Sequence, residues 1–267
     1  MNRRNAITGW LLIAPLVAGC GTFLVAPFFE LLRRSVTAGM GTGSTFVGLK
    51  NYGDLLKNTS FRQAAGNTLT FLSASLPLIF AAAFALALVI QRKRRKAFLQ
   101  TAVLLPYVMP VVGTVTVLEL LFGGEAGLKE AATLPVVVGL FLWKNTGYTM
   151  LILGTGLAAI PREHYESAQI DGATGWQQLR RITVPQMPGS IFFALVFSMI
   201  NTFKCFREIF LLGGKHPAGG LYMLQHFLNN CFANLNFAKL SCCAVALLLA
   251  LAIPFCFAYR WVTRREE

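Results

Sequence analysis

Apolar segments of about twenty residues recur along this 267-residue chain, and they limit what it can fold into. A helix of that length crosses the hydrocarbon core of a bilayer and satisfies its own backbone hydrogen bonds there. Only 13% of the residues are charged, about half the share that is usual in a soluble domain. We therefore predict an all-α membrane protein with six transmembrane helices, within residues 1–30 and at about 67–90, 98–122, 135–160, 188–212 and 240–261.

The first apolar segment contains the run LVAGC, which ends at Cys20 and resembles a bacterial lipoprotein processing site. A processed lipoprotein continues into polar sequence after the cysteine, whereas this chain stays apolar as far as Phe29. Together with the preceding Arg3 and Arg4, this favours an uncleaved transmembrane helix. Lipoprotein processing at Cys20 is the alternative.

Basic residues indicate how the spans are oriented. The densest basic run, residues 92–96, follows the second span, and short loops rich in Lys and Arg face the cytoplasm. Six spans then place both termini and residues 161–188 on the cytoplasmic side. The net charge of +13 would also suit nucleic acid, but the basic residues lie in short loops between apolar spans. This predicts a lipid bilayer as the partner and no nucleic acid.

The cysteines and histidines indicate neither a metal site nor a cofactor. The six cysteines include no C-x-x-C pair, and most lie inside apolar runs, as small core residues do. The three histidines share no metal-binding spacing. We expect no metal, no cofactor and no catalytic residues.

One polar interval, residues 161–188, separates the fourth and fifth spans and has a helical pattern. Pro161 suits the first position of a helix, and the Asp-Gly pair that ends at Gly172 predicts a turn. Thr174 followed by Gln177 resembles a capping box that opens a second helix. We predict a helix–turn–helix on the membrane surface, and a solvated connector between two spans is the alternative.

Charge and spacing within this interval fit two helices. Glu163 lies in the first turn of the first helix, where a negative side chain meets the positive end of the helix dipole. The second helix would present Trp176, Leu179 and Ile182 on one face, three residues apart. We expect this face to anchor the second helix to the membrane helices.

The interval also carries a motif with fixed spacing. A glutamate and two small residues are followed after three residues by a glycine, after nine more by an isoleucine, and then by a proline. The residues are Glu166, Ser167, Ala168, Gly172, Ile182, Val184 and Pro185. The pattern resembles the cytoplasmic loop of binding-protein-dependent ABC importer permeases, which reads Glu-Ala-Ala, three residues, Gly, nine residues, Ile, one residue, Leu-Pro. Ser167 and Val184 depart from that pattern, and both replacements are conservative in size.

The resemblance covers nearly the whole chain and extends to the sugar-permease branch of that family, through segments such as FLQTAVLLPYVMPVV and LFLWKNTGYTMLILGTGLAAIP. It implies a type I ABC importer permease fold that imports a sugar or related polyol, delivered by an extracytoplasmic solute-binding protein. It also implies a second permease subunit in a heterodimer, two cytoplasmic ATPase subunits, and a multi-pass location in the bacterial inner membrane. In that family the loop docks on an ATPase subunit, which implies an ATPase-coupling site at Glu166, Ser167, Ala168, Asp171, Gly172, Ile182 and Pro185.

The same resemblance implies a division of the chain. Residues 1–66 would hold the first transmembrane helix and an extracytoplasmic loop. Residues 67–262 would form a permease core of five transmembrane helices that includes the coupling loop 161–188, and residues 263–267 a cytoplasmic tail. The chain departs from the family pattern near residues 213–217, where a Gly-Gly-Gly-Pro turn is usual, on the side that would meet the binding protein.

Polar side chains within the spans are the candidate ligand contacts, because charge in lipid is costly. They are Glu119 in the third span, Trp143, Lys144, Asn145 and Tyr148 in the fourth, and Asn201, Lys204, Arg207 and Glu208 in or just beyond the fifth. Lys204 and Glu208 are four residues apart, so an internal ion pair is the alternative for these two. Hydrogen bonding between helices or with the partner subunit is the alternative for the others.

Two other functional classes stay open as alternatives. An intramembrane enzyme would need a convergent constellation such as H-E-x-x-H, which the sequence lacks. A self-sufficient secondary transporter would be favoured by inverted repeats, and none is evident. We expect a permease that is not itself an enzyme, with ATP hydrolysis in separate subunits.

Overall fold

The computed structural model describes residues 3–39, 43–91, 93, 96–124, 127, 128, 130, 132–217 and 220–266. Most of these residues are helical. Within these ranges, five helices are long and apolar enough to cross a membrane: Gly9–Ser35, Thr59–Gln91, Leu134–Ala159, Pro188–Gly213 and Phe237–Phe257. A bent helix pair between the second and third of them raises the number of candidate spans to 6, which agrees with the predicted fold class.

The bent pair consists of Lys96–Val108 and Val111–Leu121, with a 94° change of direction. The break falls at Met109 and Pro110, and Pro110 is the N-cap of the second helix, with extended backbone. Proline cannot continue the preceding helix because it has no N–H to donate. The sequence predicts kinks at both prolines of this span, Pro106 and Pro110. The kink at Pro110 is confirmed, whereas the first helix runs on through Pro106.

The chain separates into two compact units, one of residues 1–62 with 228–250 and the other of residues 63–227 with 251–267. The first unit begins with helix Arg3–Cys20, a π-helical turn at Gly21–Val25 and helix Ala26–Ser35. Together they contain the candidate span Gly9–Ser35, and none of its most apolar window is buried within the chain.

A small antiparallel ribbon follows the first span, with Thr37 opposite Phe46 and Ala38 opposite Thr45. Asn51, in the next helix (Lys50–Lys57), donates hydrogen bonds of 3.1 and 2.9 Å to the carbonyls of Ser35 and Thr37. These bonds fasten the end of the first span to the start of the loop. The ribbon is a two-residue addition to a helical fold, and the sequence did not predict it.

The second unit is held together by apolar contacts between membrane helices. Phe71 packs edge-on against Phe141, with ring centroids 5.6 Å apart, and both are buried. A second cluster brings the small residues Ala83 and Ala87 together with Met150. Small residues let helix backbones approach closely, and this close approach strengthens the van der Waals packing that holds helices together in lipid.

One close backbone approach joins the third and fourth spans. A Cβ added at Gly147 would overlap the carbonyl oxygen of Val103. Because backbone cannot move aside as a side-chain tip can, only glycine fits at this crossing. The crossing holds Lys96–Val108 against Leu134–Ala159.

Residues 161–188 form the predicted helix–turn–helix. Its elements are the helices Arg162–Ile170 and Gly175–Gln178, the π-helical turn Leu179–Thr183 and the 3₁₀ turn Val184–Gln186. Pro161 is the N-cap of the first helix rather than its first residue, because its backbone is extended, with φ −59° and ψ 137°.

The fifth span begins directly after this loop, with only Met187 between them. It consists of helices Pro188–Lys204 and Phe206–Gly213, which are interrupted at Cys205. Helix Leu224–Ala233 follows, and the last helix is Phe237–Glu266.

Candidate functional site

The polar loop exposes most of the motif residues of its first half. Glu166, Ser167 and Asp171 are exposed, Gly172 lies open at the turn, and Ala168 is half-buried. Within the described part of the chain, Glu166 forms no ion pair. A rigid helix that presents an uncompensated carboxylate has the chemistry of a docking surface for donor groups on a partner.

The turn between the two helices depends on the backbone of Gly172, whose φ is 76°. The N–H of Gly172 donates to the Gln169 carbonyl at 3.1 Å, and the N–H of Ala173 donates to the Ala168 carbonyl at 2.8 Å. These two bonds form a Schellman motif, which satisfies the last carbonyls of the helix and requires a left-handed residue. The predicted turn at Gly172 is confirmed.

The second helix opens with the predicted capping box. The Thr174 hydroxyl accepts from the N–H of Gln177 at 3.4 Å, and the Gln177 side chain accepts from the N–H of Thr174 at 2.7 Å. Two backbone donors that the helix leaves free are therefore satisfied, and the start of the helix is fixed.

Side chains tie the two arms of the loop together. The Tyr165 hydroxyl lies 3.0 Å from the Thr183 hydroxyl, and His164 Nδ1 lies 3.0 Å from Gln186 Oε1. Ile182 packs against the cluster that contains Ala83, Ala87 and Met150. Pro185, the last motif residue, is half-buried in the 3₁₀ turn. The first helix of the loop (Arg162–Ile170) and its second half (residues 175–186), which we call the two arms of the loop, are therefore held together by these contacts, and we call the loop braced.

The predicted anchoring face is only partly correct. Leu179 lines a cavity together with Leu88 and Leu157, and Ile182 packs inward, but Trp176 is 69% exposed. The ideal period of the stripe does not extend to Ile182, because a wider π-helical turn begins at Leu179. Trp176 precedes that turn and is exposed, whereas Leu179 and Ile182 are half-buried.

A cavity of about 220 Å³ lies among the third, fourth and fifth spans. It lies where two of these spans are interrupted, next to Pro110 in the third and at Cys205 in the fifth. Its lining residues are Tyr107, Val111, Leu140, Phe141, Lys144, Asn145, Asn201, Lys204, Cys205, Arg207 and Glu208. Six predicted ligand contacts are among them: Lys144, Asn145, Asn201, Lys204, Arg207 and Glu208.

The charges in the cavity are paired differently from the prediction. Glu208 bonds to Lys144 of the fourth span, with 2.5 Å between Oε1 and Nζ, and not to Lys204. The prediction assumed an ideal helix from Lys204 to Glu208, but the helix is irregular at Cys205, which separates helices Pro188–Lys204 and Phe206–Gly213. Lys204 is consequently left exposed at the cavity wall.

Two polar atoms on the cavity wall have no hydrogen-bond partner among the described residues. They are Asn201 Nδ2, a donor, and Glu208 Oε2, an acceptor, and both side chains are buried. Asn145 differs, because its Nδ2 donates to the Phe141 carbonyl at 2.9 Å. Buried polar groups are normally satisfied, so the pair at Asn201 and Glu208 marks a place where a polar ligand would be stabilised.

Three predicted contacts lie outside the cavity lining. Glu119 is half-buried, Trp143 is 45% exposed, and Tyr148 lines a separate apolar depression. Tyr148 nevertheless touches the site through Tyr107, because their rings stack with centroids 4.7 Å apart. The sequence prediction did not include Tyr107, and its position next to Pro106 in a span with a predicted bend was the available signal.

The chain matches known transport proteins over most of its length. The family described as "Binding-protein-dependent transport system inner membrane component" matches residues 76–267. The trehalose/maltose transport system permease protein MalF of Thermococcus litoralis is 29% identical over 98% of this chain and 95% of its own. The trehalose transport system permease protein SugA of Mycobacterium tuberculosis (strain CDC 1551 / Oshkosh) is 31% identical over 79% of this chain and 73% of its own.

A solved structure has the same fold. It is the crystal structure of a bacterial alginate ABC transporter in complex with an alginate pentasaccharide-bound periplasmic protein. One of its chains superimposes with a TM-score of 0.76 at 22% identity, covering 98% of this chain and 96% of that chain.

These matches confirm the predicted permease fold and the expectation of a transport protein that is not an enzyme. They favour neither of the two alternatives, an intramembrane enzyme and a self-sufficient secondary transporter. The chain belongs to the family of binding-protein-dependent transport system inner membrane components.

Proposed function

We propose that this chain is the permease half of an ABC importer that carries a sugar or related polyol. The observation that carries the proposal is the continuity between the braced loop and the cavity. Only Met187 separates the loop from the fifth span, and that span supplies Asn201, Lys204 and Glu208 to the cavity. The names of the two relatives, which refer to trehalose and maltose, support the sugar class.

The loop is the proposed docking site for a cytoplasmic ATPase subunit. Its motif residues supply an exposed carboxylate at Glu166 and a sharp turn at Gly172. Ile170 and Trp176 add exposed apolar surface, at 87% and 69% exposure. Large apolar side chains on a protruding loop are a common mark of a protein interface.

The proposed mechanism is alternating access. ATP-driven closure of two ATPase subunits would displace the loop, and the Tyr165–Thr183 and His164–Gln186 contacts would keep its arms together. The displacement would then pass along the fifth span to the cavity. ATP supplies the energy for the closure. The closure shifts the permease from one state to the other because the ATPases bind the two states with different affinity.

The remaining partners follow from the same proposal. A second permease subunit would complete the pathway as a heterodimer, and an extracytoplasmic solute-binding protein would deliver the ligand. The bound periplasmic protein in the related alginate transporter supports this arrangement. The basic run after the second span supports cytoplasmic termini in a bacterial inner membrane.

Substitution of Gly172 by proline tests the coupling role. Proline requires φ near −65°, whereas Gly172 has φ 76°, so the turn cannot form. In proteoliposomes that contain the complete importer, we expect ATP-driven sugar uptake to fall at least about tenfold while hydrolysis continues. Gly175→Ala is the matched control, because Gly175 has no positive φ and open space around its Cβ position.

Normal uptake by the Gly172→Pro importer would contradict the coupling role. Uptake by this chain alone, without ATPase subunits, would contradict the whole proposal and favour a secondary transporter.

A further inference from the structure

The cavity between the third, fourth and fifth spans has an excess of positive charge. Three cations, Lys144, Lys204 and Arg207, and one anion, Glu208, line it. The Lys144–Glu208 ion pair neutralises two of these charges. Among the residues that the structure describes, Lys204 and Arg207 are left as two uncompensated cations in the lining.

Lys204 and Arg207 are exposed and form no ion pair or side-chain hydrogen bond within the described ranges. They lie on either side of Cys205, three residues apart, and both line the cavity. Uncompensated charges at membrane depth are costly, and a mobile anion that enters the cavity would offset that cost.

The wall also offers a donor and an acceptor without partners. Each atom has under 1 Å² of accessible surface, so the side chain must turn toward the cavity before Asn201 Nδ2 donates to a ligand oxygen or Glu208 Oε2 accepts from a ligand hydroxyl. A polyol supplies both kinds of group. Tyr107, stacked on Tyr148, adds an aromatic surface of the kind that packs against the apolar face of a sugar ring.

We infer that the ligand of this cavity is an anionic sugar, whose carboxylate or phosphate pairs with Lys204 and Arg207 while its hydroxyls bond to Asn201 and Glu208. The inference rests on the proposed function and narrows its substrate class. Arginine binds carboxylate and phosphate through two parallel hydrogen bonds, and lysine adds a point charge, so both anions fit.

The test uses the complete importer in lipid nanodiscs and three probes with the same ring: glucose, glucuronate and glucose 6-phosphate. Thermal unfolding is followed as each probe is titrated. Glucuronate, glucose 6-phosphate or both should stabilise the importer at roughly tenfold lower concentration than glucose does. A hydrogen bond to a charged group contributes about the free energy that corresponds to a tenfold change in the binding constant. The relative effect of the two anions distinguishes a carboxylate ligand from a phosphate ligand. Added salt should reduce the preference for the anion.

The second part of the test removes the two positive charges from the cavity lining. The variant Lys204→Gln/Arg207→Gln should lose the preference for the anionic probes. Lys57→Gln/Arg62→Gln removes the same two charges from exposed positions outside the cavity lining and should keep the preference. If the double variant does not assemble, the single variants replace it, and Lys204→Arg must retain the preference because it retains the charge.

Equal or tighter binding of glucose, or an anion preference that survives in the Lys204→Gln/Arg207→Gln variant, would overturn this inference. ATP-driven uptake is measured separately, after the same importers are reconstituted into proteoliposomes, which enclose a lumen. Preference for the neutral sugar with uptake intact refutes only the anionic ligand, whereas uptake that does not depend on ATPase subunits refutes the proposed function.

Discussion

Lys144 and Glu208 form an ion pair between two membrane-spanning helices, with 2.5 Å between Nζ and Oε1. Their side chains are 13% and 6% exposed, so water screens the pair weakly. A charge that loses its partner at such a site is stranded in an apolar environment, which costs more than the pair itself contributes. The pair therefore fixes the fifth span against the fourth.

Glu208→Gln should lower the free energy of unfolding by about 3–5 kcal/mol, because it leaves Lys144 buried without a counter-charge. Adding Lys144→Gln should recover much of that loss. Chemical denaturation of the detergent-solubilised protein measures both effects. Glu30→Gln is the matched control, since Glu30 pairs with Arg33 and Arg34 at partly exposed positions, and its loss should be smaller. A Glu208→Gln protein no less stable than this control would contradict the structural role.

Gly147→Ala should destabilise the protein by about 1–3 kcal/mol, because the added methyl group would overlap the Val103 carbonyl and force the third and fourth spans apart. Gly139→Ala, in the same helix, is the control, since a Cβ there meets nothing within 4 Å. Thermal unfolding in nanodiscs compares the two. Equal midpoints for the two variants would show that this helix crossing is looser than described.

Tyr165→Phe should weaken the brace between the arms of the loop, because it removes the 3.0 Å hydrogen bond to Thr183. We expect fewer sugar molecules imported per ATP hydrolysed, with a loss of stability of about 1 kcal/mol. Thr183→Val should have the same effect, and the double variant should be no worse than either single one if they act through one bond. Fully additive losses in the coupling ratio would contradict the shared role.

His226 should make the protein sensitive to acid. Burial, and then the charge of His216, lower the pKa of His226 to about 4, and its Nδ1 accepts from the Met223 N–H at 3.2 Å. The unfolded chain binds a proton near pH 6.5, so the stabilising contribution is complete above that pH and is lost as the pH falls toward 4. Unfolding midpoints measured between pH 4 and 8 should decline less steeply in His226→Gln. Parallel curves for the two proteins would contradict this assignment.

The local parts of the candidate site could be predicted from the sequence. Turn, cap and glycine requirements act over a few residues, so the sequence alone predicts the roles of Gly172, Thr174 and Gln177 correctly. The spans were likewise predictable, because the bilayer demands a fixed length of apolar helix. Pro110 identified the bend in the third span for the same local reason.

The pairing in the cavity could not be predicted in this way. The partner of Glu208 lies 64 positions away, and the break at Cys205 that separates Glu208 from Lys204 contains neither proline nor glycine. The exposure of Trp176 had a similar cause, since nothing in the sequence predicts that a π-helical turn begins at Leu179. Both errors came from extending an ideal helix across an irregularity that tertiary packing imposes.

The unburied first span, Gly9–Ser35, makes the thickness of the membrane a structural parameter of this protein. With 27 residues it is about 40 Å long, whereas the hydrocarbon core measures about 30 Å. Such a mismatch is relieved by tilting, or by letting the Glu30, Arg33 and Arg34 end of the helix reach the headgroups. Because none of its most apolar window is buried within the chain, lipid chain length should influence its tilt, and thinner bilayers should tilt this helix further.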